Sequence, residues 1–270
     1  MPHADLNGQR IHYDVHGDGE PLLCVHGLGV DRRGWALQVQ PWSQHHKVVV
    51  FDNRDVGESS YATAEYETSD MALDTLALAD HLELETFDLV GISLGGMVAQ
   101  HVALTEPERL RSLSLCFTHG GTGRYGQLRG RLLGESMRGL TPEERIDQLM
   151  LLCYTEDFFE NKPAVEWLRN ALLEDPHPQD PDGFARQAAA GGRHDVRNRL
   201  DTLTMPVHVI GAARDILIPV WKSEELAALI PGAKLTVMDD AGHGALWEKA
   251  DDFNQAVLSF LAAAAAEAVR

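Results

Sequence analysis

Four short apolar runs, at residues 21–25, 47–51, 87–92 and 110–117, stand out along the first part of the chain, each bounded by polar or glycine-containing stretches. Runs of this length, rich in Val, Leu, Ile and Phe, read as strands buried on both faces. Between the later ones, apolar residues recur at helical spacing over 71–82 and again over 95–106, where Pro107 stops the pattern. Upstream, residues 9–15 alternate apolar with polar and end in His16-Gly17-Asp18-Gly19, a hairpin signal. Strands alternating with helices of about a dozen residues predict an α/β protein with a mostly parallel central sheet and helices on both faces.

The alternation then breaks. Residues 118–203 contain no convincing strand and read as short helices joined by polar turns. One starts at Pro142-Glu143-Glu144 behind Thr141 as its N-cap, and another covers 164–173 and ends at Asp175-Pro176-His177-Pro178. Alternation resumes with a strand at 205–211, a helix at 221–229, a strand at 234–239 and a closing helix from about Glu248. A whole βαβ crossover needs only ~30 residues or somewhat more. The surplus predicts a helical cap at 118–203 inserted into one α/β core made of residues 1–117 and 204–270.

Composition narrows the partners. The 270 residues are 44% hydrophobic and 24% charged, as in an ordinary globular protein. Asp and Glu outnumber Lys and Arg 41 to 23, a net charge of −18, so nucleic acid and anionic membrane surfaces are poor partners. Cys24, Cys116 and Cys153 are scattered and form no CxxC pair, which suggests free thiols in a reducing compartment. The first residues show no basic segment followed by an apolar one, and no apolar run reaches the ~18 residues of a membrane helix. A cytoplasmic location is the expectation.

The chemistry concentrates at Val90-Gly91-Ile92-Ser93-Leu94-Gly95-Gly96-Met97, a G-x-S-x-G sequence directly after a strand and directly before a helix. A sharp strand-to-helix turn holds such a serine in a strained backbone conformation, and side chains two positions either side would collide. Gly91 and Gly95 occupy those positions. The turn aims the serine at a helix N-terminus, whose free N–H groups favour an oxyanion. A second donor is expected from the loop after an earlier strand, Cys24-Val25-His26-Gly27-Leu28-Gly29. The N–H groups of Leu28 and Leu94 are therefore the candidate oxyanion donors, with His26 a structural hydrogen-bonder.

With these motifs the chain resembles the α/β-hydrolase fold superfamily, in the branch of small capped esterases, enol-lactonases and cofactor-free haloperoxidase-like enzymes. The resemblance implies a triad in the chain order nucleophile, acid, histidine. The acid matches Asp215, within Gly211-Ala212-Ala213-Arg214-Asp215, and the histidine matches His243, within Ala241-Gly242-His243-Gly244. Both also lie just beyond the carboxyl end of a predicted strand, where open α/β sheets place their sites. The segment Asp52-Asn53-Arg54-Asp55-Val56-Gly57-Glu58-Ser59 resembles the family's D-x-R-G-x-G-x-S loop, with Asp55 where glycine is usual and with Asp52 and Arg54 expected to bond backbone.

Competing residues read as structural. His119 precedes Asp215 and opens the cap, His177 and His194 are expected in solvated turns, and Asp239 and Asp240 in solvent at a strand end. Gly121-Thr122-Gly123-Arg124-Tyr125-Gly126 satisfies G-x-G-x-x-G, but helical cap follows it where a dinucleotide site needs a second strand. No metal-binding pattern occurs, so neither cofactor nor metal is expected. Met137, Trp167 and Tyr154, with Leu151, Leu152, Phe158 and Phe159, either line an acyl pocket or form the cap's own core. Arg124, Arg129, Arg131, Arg138 and Arg193 offer a substrate carboxylate a cation but read mostly as surface.

The expected activity is serine hydrolysis of carboxylic esters or lactones through an acyl-enzyme. Perhydrolysis or carbon–carbon hydrolysis on the same triad is one alternative, and a ligand receptor on a hydrolase scaffold is another. The expected partner is a small-molecule ester or lactone, and a homodimer is left open.

Overall fold

The computed structural model describes residues 2–268. Eight strands, β1 (His3–Leu6), β2 (Gln9–His16), β3 (Glu20–Val25), β4 (His46–Phe51), β5 (Phe87–Ile92), β6 (Leu110–Cys116), β7 (Val207–Ala212) and β8 (Lys234–Met238), form one sheet in the order β1-β2-β4-β3-β5-β6-β7-β8. From β4 to β8 all neighbours are parallel, while β2 runs antiparallel to β1 and β4.

The hairpin falls elsewhere than expected. Asn7 and Gly8, at φ 49° and 75°, make the two-residue turn that pairs β1 with β2, the backbone twist such turns require. The His16–Gly19 signal does not pair β2 with β3, because β4 lies between them. That turn instead packs on the segment before β4, where a Cβ on Gly17 would come within 2.3 Å of the Ser43 carbonyl oxygen.

Helices cover both faces. Those outside the cap are α1 (Ala36–Trp42), α2 (Thr68–His81), α3 (Leu94–Thr105) and, after the cap, α9 (Trp221–Leu229), α10 (Ala245–Glu248) and α11 (Ala250–Ala268). Alternate strand residues divide the core: Leu23, Val25, Leu89 and Val209 pack with Met71, Val98 and Leu226 of α2, α3 and α9. Leu22, Cys24, Val90 and Ile210 face Trp42 and Phe253 of α1 and α11. Period-two alternation inside mostly apolar runs is what a sheet buried on both sides demands.

Between β6 and β7 come only helices of any length: α4 (Gly123–Arg138), α5 (Pro142–Cys153), α6 (Glu156–Glu160), α7 (Lys162–Leu173) and α8 (Pro181–Arg193). Thr141 caps α5 as expected, with its Oγ1 accepting from Glu144 N at 3.2 Å. The chain leaves and re-enters the core through a narrow neck, where Val196 N donates to Gly120 O at 2.8 Å and Gly121 bridges Asp195. The glycines after the neck serve packing. A Cβ on Gly130 would lie 2.3 Å from Ala188 O, and one on Gly134 would lie 2.8 Å from the Ala185 Cα, so α4 and α8 cross almost backbone to backbone. Among the described residues no helix is long and apolar enough to cross a membrane.

The chain passes from β3 outward to β4 and then returns to β5 on the other side of β3. This reversal opens a crevice beyond the carboxyl ends of β3 and β5, where open sheets bind ligands. The loop after β3 and the turn after β5 both reach into it.

Candidate active site

Ser93 stands between β5 and α3 at φ 55° and ψ −117°. Its neighbours explain how the turn is so tight. A Cβ on Gly91 would sit 2.4 Å from Gly95 O, and one on Gly95 would sit 2.1 Å from Val25 O. Ser93 N donates to Cys116 O at 2.9 Å, and its carbonyl accepts from Thr118 Oγ1 at 2.7 Å. Backbone bonds on both sides thus hold the strained residue, and its side chain is free to point into the crevice.

Two long-range segments meet that side chain. His243 Nε2 lies 3.0 Å from Ser93 Oγ, and His243 Nδ1 lies 2.7 Å from Asp215 Oδ2. The other carboxylate oxygen of Asp215 accepts from Leu217 N at 2.8 Å and Ile218 N at 2.7 Å, which fixes its orientation. All three side chains are buried. The histidine loop is gripped from both sides: Gly242 N donates to Glu248 Oε2, and Gly244 N to Cys153 O, each at 2.8 Å. Glu248 also accepts from Thr155 N at 3.1 Å, so one carboxylate joins this loop to the cap.

The loop after β3 is arranged with similar economy. Gly27 N donates to His26 Nδ1 at 2.7 Å, and Asn53 Nδ2 donates to His26 O at 3.1 Å. Burial pushes the His26 imidazole down to about 3, so the ring stays neutral and accepts that bond. Leu94 is the first residue of α3, where an N–H has no partner within its helix. Leu28 and Leu94 flank Ser93 in the wall of a cavity of about 80 Å³, and among the described residues neither N–H has an acceptor. Met97, Leu133, Leu217 and Ile218 supply further apolar wall, and Thr122, Arg129 and Gln187 its polar part.

Other sequence expectations fare differently. Met137, Trp167 and Tyr154 lie outside the cavity wall. Met137 continues the α4 stripe of Thr122, Gly126, Gly130 and Leu133 but is covered by Phe184 and Ala188, making it part of the cap's own core. Trp167 is 57% exposed and lies against Trp247, while Tyr154 stacks on Phe158 and backs Gly244. His194, expected in solvent, is buried between Thr68 Oγ1 and Gln100 Oε1, because the end of α8 tucks between α2 and α3. His119 lines the cavity, with burial and the Arg129 guanidinium pushing it down to about 4, yet among the described residues its ring makes no hydrogen bond or ion pair with Ser93 or a carboxylate. Asp52 does hold backbone, accepting from Arg32 N and Glu58 N at 2.8 Å, and Arg54 donates to Asp70 O at 3.4 Å besides pairing with Asp74 at 2.7 Å. Asp239 and Asp240 are exposed as expected.

Two side chains find their partners only in the folded chain. Gln187, on α8, accepts from Gly29 N at 3.0 Å. Asp55 takes the left-handed φ of 69° that glycine favours and receives two bonds from Arg186, at 2.9 and 2.8 Å. Among the described residues no group of three or more His, Cys, Asp or Glu could hold a metal ion.

Comparison with known proteins places the chain in a family. The chain is 27% identical over 270 residues to a protein of Azorhizobium caulinodans provisionally named carbamate hydrolase RutD, covering 96% of this chain and 98% of that one. It is 29% identical over 251 residues to 3-oxoadipate enol-lactonase 2 of Acinetobacter baylyi, covering 92% and 91%. The crystal structure of an enol-lactonase from Burkholderia xenovorans superposes with a TM-score of 0.87 at 26% identity, over 97% of this chain and 100% of that one. Residues 20–250 match the sequence profile of the alpha/beta hydrolase fold. The chain belongs to the α/β-hydrolase fold family, and it is an enzyme of that family.

Proposed function

We propose that this enzyme hydrolyses carboxylic esters or lactones through an acyl-enzyme on Ser93. The observation that carries the proposal is the continuous relay from Ser93 Oγ to His243 Nε2 and from His243 Nδ1 to Asp215 Oδ2. His243 takes the Ser93 proton as Oγ attacks the carbonyl carbon, and Asp215 holds the imidazole in the tautomer that can accept it. The N–H groups of Leu28 and Leu94 receive the oxyanion, a donor of this kind contributing ~3–4 kcal/mol to the transition state. His243 then protonates the leaving oxygen. In the second half it takes a proton from water, whose oxygen attacks the acyl carbon, and returns that proton to Ser93. Every role is filled by a protein group. A cavity of about 80 Å³ favours a short acyl group.

A fluorophosphonate probe and a p-nitrophenyl ester series from acetyl to dodecanoyl test this, with lactones, carbamates and peracid formation as further arms. The wild type is expected to label once and to turn over the short acyl esters fastest. Ser93→Ala is expected to lose labelling and to drop kcat by ~10⁴–10⁶ while still binding substrate. Unchanged turnover in Ser93→Ala overturns the triad. Tight ligand binding by a wild type with neither labelling nor turnover favours the receptor.

A further inference from the structure

Resting on that reading, we propose that Gln187 is a positioning residue for the oxyanion hole, so that docking of cap helix α8 sets the direction of the Leu28 N–H. Leu28 lies past the end of β3, whose pairing with β5 stops at Val25 opposite Gly91. No sheet ladder therefore holds it. The two N–H groups beside it are pinned instead: Gly27 N by His26 Nδ1, and Gly29 N by Gln187 Oε1. Pinning both neighbours leaves the middle N–H unpaired yet directed, which is what an oxyanion donor needs.

The Gln187 amide is itself fully determined. It is buried completely, its Oε1 accepts from Gly29 N at 3.0 Å and Gln179 Nε2 at 3.1 Å, and its Nε2 donates to Arg54 O at 2.8 Å. Because Gly29 N–H can only donate and Arg54 C=O can only accept, the amide has one allowed orientation. The Phe184 ring, one turn earlier on α8, packs against Gly29 at the place where a side chain would lie. Gln187 also forms part of the cavity wall beside Ser93. The two donors are thus built differently. Leu94 N–H is set by α3 within the core, whereas Leu28 N–H depends on a helix of the cap.

A donor that matters only once the oxygen carries charge should act on the transition state and not on substrate binding. In the full-length protein, Gln187→Met removes both hydrogen-bonding functions at similar volume. The expected result is a ~10–100-fold fall in kcat on a short p-nitrophenyl ester, with KM changed less than about threefold. An alkyl boronic acid, which forms a tetrahedral adduct on Ser93, should lose affinity by the same factor. The product carboxylate should not. Gln187→Asn, which keeps the amide but cannot reach Gly29, should behave alike and carries the test if Gln187→Met does not fold. A folded variant with unchanged kcat and boronate affinity overturns the inference. So does one whose affinities for boronate and product fall equally, since that is the mark of a collapsed pocket. A wild type without ester turnover and without fluorophosphonate labelling overturns the underlying reading, and the inference falls with it.

Discussion

At Ser93 the backbone conformation and the proposed chemistry pull in opposite directions. A φ of 55° with ψ of −117° suits glycine, and holding an L-residue there costs ~1–3 kcal/mol. Ser93→Gly should therefore stabilise the fold, by about 1 kcal/mol once the greater freedom of unfolded glycine is subtracted. Ser93→Ala keeps the strain and should melt close to the wild type. Calorimetry should place Ser93→Gly a few degrees above both, and a melting temperature at or below that of Ser93→Ala would refute stored strain at this turn. Gly91 and Gly95 were legible in the sequence because the motif itself forces the close approach that excludes their side chains. Asp55 was legible only as an aspartate where glycine is usual; it takes the left-handed position, and the reason for its side chain lies across the molecule in Arg186.

That ion pair belongs to the scale of elements, because it fastens α8 to the loop after β4. Asp55 is fully buried and also accepts from Ala62 N at 2.7 Å and from Tyr66 Oη at 2.8 Å. Arg186→Met would leave its carboxylate without a counter-charge, and breaking such a pair costs about 3 kcal/mol. Urea unfolding should show that loss, with Asp55→Asn added to Arg186→Met recovering part of it. Full additivity of the two substitutions would mean the pair is not coupled. The sheet strands and the core helices α2, α3 and α9 could be read from the chain because their apolar periods are set locally. Outside the cap three of the numbered elements escaped: β1, with four residues and mixed exposure, α1, seven residues with Pro41 inside, and α10, four residues just ahead of the closing helix. The cap could be read as helices but not as packed helices. The glycines of α4 acquire meaning only opposite Ala185 and Ala188, and Gln187 only opposite a glycine 158 residues away.

Over the whole molecule, buried histidines set the response to acid. Burial lowers His26 to about 3 and His119 and His208 to about 4, and it lowers His194 as well, against 6.5 for a free imidazole. Below pH 6.5 the unfolded chain takes up protons that these rings refuse in the folded state, so stability falls as pH drops from 6.5 towards 4. Asp88 acts oppositely: burial raises it from 3.8 to about 6, and between those values the folded state holds the extra proton. Asp52 and Asp74, also raised by burial, add to that opposing side. Four histidines outweigh Asp88 near pH 5, so melting temperature should decline from pH 7 to 5, and more steeply in Asp88→Asn. A flat profile would show that the rings are open to protonation in the folded protein. The neck at Gly120–Val196 bears on how such a molecule diversifies. Since the cap begins and ends at one point on the core, evolution or an engineer can exchange it whole without disturbing sheet register. On the proposed role of Gln187, an incoming cap must bring its own acceptor for Gly29 N–H, together with new partners for Gly244 N–H and the buried Asp55 carboxylate, so new specificity would be inherited along with support for the loops that carry the chemistry.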